Sequence, residues 1–132
     1  MEKQAIIPDK LPSWLRELLK ELPISPAVKA GGFVFVSGAA CPFDRETGAL
    51  VEGIEAQTRG TLELIKDTLE AAGSSLDKVV KATVHLTNAQ DFPALNQVYR
   101  TFFPKDPPAR TAIITEKVFP GILVEIDCIA MV

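Results

Sequence analysis

The sequence predicts a single α+β domain, with two main helices packed on one face of a β-sheet. Three observations predict it. The 132 residues match one ordinary domain, long enough to bury a core without disulfide or metal staples. Apolar residues make up 47% and charged residues 23% of the chain, the balance of a globular protein rather than a disordered one. Stretches of helical periodicity alternate with short β-patterned runs, in the order helix, strand or hairpin, helix, strand, helix, strand, strand.

Residues 1–10 read as irregular chain. Leu11, Trp14, Leu15, Leu18, Leu19 and Leu22 then recur at helical spacing, which predicts a short amphipathic helix with Ser13 as its cap and Pro23 at its end. Such a helix is marginal alone and must dock its apolar stripe. Gly31-Gly32 is turn chemistry, and Phe33 to Val36 is a buried strand. The small residues Ser37 to Ala40 allow close backbone approach, and a polar loop runs from Pro42 to Gly48.

Ile54, Leu62, Ile65, Leu69 and Ala72 mark one face of a long helix, which Gly73 closes. Val80, Ala82, Val84 and Leu86 alternate with Lys81, Thr83, His85 and Thr87, the pattern of a half-buried strand. Asp91 is placed to cap a second helix that tolerates Pro93 in its first turn and turns Phe92, Leu95, Tyr99, Phe102 and Phe103 inward. Two strands complete the chain, at about 109–115 and 122–131, joined near Pro120-Gly121. Helices on one face leave the other sheet face open, and a homo-oligomer would cover it.

Composition narrows the function. A net charge of −3 gives no electrostatic reason to bind nucleic acid or an anionic membrane. No apolar run approaches a membrane span or a signal-peptide core, because Arg16, Glu17, Lys20 and Glu21 interrupt the first leucine-rich stretch. A cytoplasmic location is therefore expected. Two distant cysteines, Cys41 and Cys128, and the single His85 cannot supply the four ligands of a usual structural zinc site.

Two residues stand out chemically. Arg110 lies on a strand among Ala109, Thr111 and Ala112, sharing a side with Ala112 and Ile114. Its guanidinium either sits in a recess, where its planar fork takes a carboxylate, or pairs with an acidic side chain at a sheet edge. Glu125 lies among Val124, Ile126, Ile129 and Ala130. A carboxylate there is paired across the sheet, exposed at an edge, or functional.

Ser25-Pro26-Ala27-Val28, the run from Gly32 to Gly38, Pro108-Ala109-Arg110-Thr111 and the run from Val124 to Ala130 resemble the RidA/YjgF/L-PSP family. The resemblance extends from about Leu22 to Val132. It divides the chain into an N-terminal extension, residues 1–22, and a RidA-like domain, residues 23–132.

The resemblance implies a chorismate-mutase-like fold with a mixed sheet, and a homotrimer with clefts between subunits. It implies hydrolysis of reactive enamine and imine acids to 2-oxo acids and ammonia, without cofactor or metal. Arg110 would clamp the substrate carboxylate and Glu125 would handle the water. Ser37 and Gly38 would line the cleft, Asn96 would border it, and a backbone group of Ala112 would hold the substrate nitrogen.

Three positions depart from the deaminase pattern. Ala27 stands for an aromatic residue, Ala39 for Gln and Ala112 for Cys. Together they imply a wider pocket and a larger substrate, with Trp14 or a neighbour's side chain refilling part of it. A non-catalytic trimeric module that binds small carboxylate metabolites is the alternative. An RNA-cleaving role, reported for some relatives, is disfavoured by acidity and by the lack of a basic aromatic platform.

Overall fold

The structure is a computed structural model that describes residues 2–116 and 119–132. In chain order it has β1 (Gln4–Ile6), α1 (Ser13–Glu21), β2 (Ala27–Ala30), β3 (Phe33–Ala39), α2 (Ile54–Ala71), β4 (Val79–Leu86), α3 (Phe92–Phe102), β5 (Ala109–Ile114) and β6 (Val124–Met131). The six strands form one sheet in the order β1-β2-β3-β6-β4-β5. The β4–β5 pair is parallel and the other pairs are antiparallel, so the sheet is mixed, as expected.

The core lies between the sheet and the two main helices. Leu62, Ile65 and Leu69 of α2 and Leu95 and Tyr99 of α3 pack on Val34, Ala82, Val84, Leu86, Ile126 and Ala130. The opposite face carries Phe33, Phe35 and Met131, at least two-fifths exposed, beside half-buried Thr83, His85, Asp127 and Ile129. His85 Nε2 lies 3.2 Å from Asp127 Oδ2 there. The edge strand β5 is exposed except at Ala112.

The structure departs from the sequence expectations locally. Residues 4–6 are a strand, because β1 pairs with β2 and inserts Ile6 into the core. Pro12, not Ser13, precedes the first helix, and no side chain caps it. Asp91 makes no capping bond either: a single 3-10 turn, Ala89–Asp91, leads into α3 and is itself capped by Asn88. Val80 is exposed because a β-bulge between Val79 and Lys81 takes it out of the alternation and leaves Val79 buried instead. Gly31 and Gly32, both at positive φ, make the two-residue turn of the β2–β3 hairpin.

Candidate active site

Glu125 belongs to β6, whose even-numbered residues from Val124 to Ala130 point into the core. Alternation sends Glu125 to the other face, where it pairs in register with His85. Strand β3 runs alongside with a register shift between Val36 and Ala39, and that irregular step holds Ser37 and Gly38. Ser37 Oγ donates a 2.6 Å hydrogen bond to the carbonyl of Ser25, which leaves its own oxygen free to accept. Gly38 lets the carboxylate approach: a Cβ there would overlap Glu125 Oε1 and push it aside. The carboxylate therefore rests against bare backbone.

Ser37, Gly38 and Glu125 border a cavity of about 470 Å³ between α1, the end of β3 and α2. Among the described residues Glu125 is the only charged one in its lining. The apolar stripe of α1, with Trp14, Leu15, Leu18 and Leu19, forms much of the remaining wall. Trp14 meets Phe43 edge-on at 5.3 Å between ring centroids.

Arg110 lies elsewhere. The parallel β4–β5 register sets it beside Ala82 and sets Ala112 beside Val84, so both face the helix side of the sheet. Asn96 and Tyr99, three residues apart on α3, lie on the helix face turned toward it. Arg110 Nη1 donates a 2.8 Å hydrogen bond to Asn96 Oδ1, and the guanidinium carbon lies 4.9 Å from the centroid of the Tyr99 ring. The guanidinium is thus held at one nitrogen and one face, on an exposed residue. Burial raises the Tyr99 hydroxyl pKa, which the Arg110 charge partly offsets.

Arg110 and Glu125 therefore occupy opposite faces of the sheet and do not converge within one chain. Two half-sites result: Ser37, Gly38 and Glu125 on one side, Asn96, Arg110 and Ala112 on the other. Neither sequence alternative for Arg110 holds in the chain alone. It is exposed rather than recessed, and among the described residues no carboxylate lies within ion-pair distance of it. Tyr99 was readable from sequence only as a core aromatic. Its spacing from Asn96 was the available signal for a second role.

Other expectations are corrected. Ala27 does not widen the cleft: it is fully buried between Ile6 and Val36 in the sheet. Ile24 and Pro26 supply that part of the cavity wall. Ala39 does line the cavity. Cys41 is buried, donates to the Phe43 carbonyl and lies against Gly60 of α2, outside the cavity beside Glu125. Burial drives the Cys128 thiol up to about 12. Among the described residues no group of His, Cys, Asp or Glu could hold a metal ion, and no helix is long and apolar enough to cross a membrane.

A six-stranded mixed sheet with two helices on one face, an edge arginine and a sheet-face glutamate defines a small α+β domain of the L-PSP class. The family model described as endoribonuclease L-PSP matches residues 16–132, and the chain belongs to this RidA/YjgF/L-PSP family. It is similar to a RutC family protein of Pyrococcus horikoshii, 46% identical over 109 residues, which are 82% of this chain and 86% of that one. The crystal structure of RidA from an Antarctic Psychrobacter matches with a TM-score of 0.85 and 40% identity, covering 98% of this chain and 99% of that one. That of E. coli TdcF with bound serine matches with a TM-score of 0.84 and 29% identity, covering 98% of each. Family members are generally trimeric and bind small molecules.

Proposed function

We propose that this protein hydrolyses reactive enamine and imine acids to 2-oxo acids and ammonia, in clefts between the subunits of a homotrimer. The observation that carries the reading is the pair of separated half-sites. Each holds half of the machinery, and only a second copy can bring a Glu125 half to an Arg110 half. The apolar open sheet face, bearing Phe33, Phe35 and Met131, supports such an assembly.

The chemistry follows from the two halves. The enamine acid tautomerises to the imine. Arg110, held by Asn96 and Tyr99, takes the carboxylate with two parallel hydrogen bonds and fixes the C=N carbon. Glu125 of the adjoining subunit accepts a proton as water adds to that carbon. It returns that proton to the nitrogen, giving the carbinolamine, then takes the hydroxyl proton as the carbonyl forms and passes it to the nitrogen, which departs as ammonia. A positioned carboxylate acting this way contributes about 10² to 10⁴-fold, and the guanidinium offsets charge as the tetrahedral centre forms. A backbone group of Ala112 meets the substrate nitrogen. The serine bound to TdcF supports a small amino-acid-like ligand. The two free, buried thiols fit a reducing compartment such as the cytosol.

The exposed guanidinium also fits a second reading, a carboxylate-binding module without turnover. Ammonia release from imines generated in situ separates the two. Under the deaminase reading the native protein accelerates release, and both Arg110→Ala and Glu125→Ala abolish it. Binding of 2-oxo acids that needs Arg110, with no acceleration of any imine, would leave only the binding module.

A further inference from the structure

The cavity beside Glu125 is much larger and more apolar than hydrolysis of a small imine needs. At about 470 Å³ it has the size of a pocket that encloses most of a ligand. Among the described residues its wall offers Glu125 as the only charged group and Ser37 and Thr68 as the only side-chain hydroxyls. A charged or strongly polar side chain inside it would lose its hydration without replacement.

Helix α1 supplies the second argument. Its leucine stripe borders the cavity, yet none of its residues is fully buried and Leu18 is 38% exposed. A nine-residue helix gains most of its stability from burying such a stripe. An apolar occupant in contact with Trp14 and Leu18 would complete that burial.

We propose that this cavity is the side-chain subsite of the enzyme, that α1 is its specificity wall, and that the natural substrates are 2-imino acids with bulky apolar side chains, branched aliphatic or aromatic. This rests on the deaminase reading. The subsite ends on the carboxylate that handles the water, so a side chain lodged under α1 leaves its C=N carbon beside Glu125. The substrate's own carboxylate then points away, toward the Arg110 half of the adjoining subunit.

The test uses 2-imino acids made in situ by an amino-acid oxidase from alanine, leucine and phenylalanine, with the intact protein and Leu18→Trp, which fills the cavity from a part-exposed position. The native protein should favour the leucine and phenylalanine imines over the alanine imine by tenfold or more in kcat/KM, since a single methylene in an apolar pocket is worth about 10 to 200-fold. Leu18→Trp should lower kcat/KM for the large imines at least tenfold more than for the alanine imine, collapsing the native preference. Trp14 is the single tryptophan and lines the cavity, so its fluorescence gives a readout independent of turnover. 4-Methyl-2-oxopentanoate should perturb it at lower concentration than pyruvate.

Turnover that ignores side-chain size, or Leu18→Trp slowing all imines alike, would overturn the subsite while leaving the deaminase reading intact. Unchanged Trp14 emission at a saturating concentration of the large oxo acid would do the same and would leave the cavity to a neighbouring subunit's side chain. No acceleration of any imine by the native protein would remove the deaminase reading and the subsite with it.

Discussion

Glu125 rests its carboxylate on the backbone of Gly38, so closely that a Cβ at residue 38 would overlap Oε1. Gly38 itself is solvent-exposed, so the glutamate has room to swing away if the methyl is added. Gly38→Ala should therefore cost little stability, on the order of 1 kcal/mol or less. A carboxylate moved by about 1 Å should lose about 10²-fold in turnover. Thermal melts beside kcat/KM on an imine substrate check both halves. A stable variant with native kcat/KM would show that the position of Glu125 does not matter.

The grip on Arg110 divides into a hydrogen bond and an aromatic face. Asn96→Ala removes the 2.8 Å bond to Nη1 and should raise KM by about 3 to 10-fold, the value of one ordinary hydrogen bond. Tyr99→Leu removes the ring under the guanidinium and should raise KM by a similar factor. Tyr99→Phe keeps the ring and deletes a buried hydroxyl that has no hydrogen-bond partner among the described residues. It should be neutral or slightly stabilising, with KM unchanged. A loss of activity in Tyr99→Phe would assign the hydroxyl a role that this account denies it.

The open sheet face should be the assembly surface. Phe35, 44% exposed, lies on it 6.5 Å from Phe33 between ring centroids. Phe35→Glu would bury a charge in any face-to-face contact. The variant should sediment as a monomer, keep its far-ultraviolet circular dichroism and lose imine hydrolysis. A monomer with full activity would place a complete site in one chain.

The cysteines should be inert in the folded protein. Burial pushes Cys128 up to about 12 from an ordinary value of 9.0, and burial likewise raises Cys41. Thiol reagents at pH 8 should label neither until the protein unfolds. The sign of the linkage follows. The unfolded chain loses the Cys128 proton near pH 9 while the folded chain holds it to about 12. The folded state therefore binds more protons in that window, and stability falls as pH rises from about 9 to 12. Denaturant titrations across that range check it, and Cys128→Ala should flatten the slope.

Much of the fold was legible because one face of each main element is buried. The stripes of α2 and α3 and the alternation in β6 follow directly from apolar spacing. The misses are those that spacing cannot carry. Strand β1 is three residues long with one buried, and only its pairing with β2 makes it a strand. The bulge at Val80 depends on the register with β6. Ala27 looked like a cleft position because its neighbours matched a motif, yet the hairpin register turns it into the core. Arg110 and Glu125 were readable as chemistry, but their separation was not. Alternation states which residues share a side of one strand, and only the pairing of β5, β4 and β6 fixes that the two lie on opposite faces.

That separation makes the central claim testable in one measurement. Arg110→Ala and Glu125→Ala chains, each inactive alone, are co-expressed in equal amounts, and the whole random population of oligomers, homotrimers included, is purified and assayed for imine hydrolysis. If each cleft takes its arginine from one subunit and its glutamate from the next, every mixed trimer has one intact cleft, and a random 1:1 population recovers about a quarter of native activity. Mixed trimers that stay inactive would contradict a site shared between subunits.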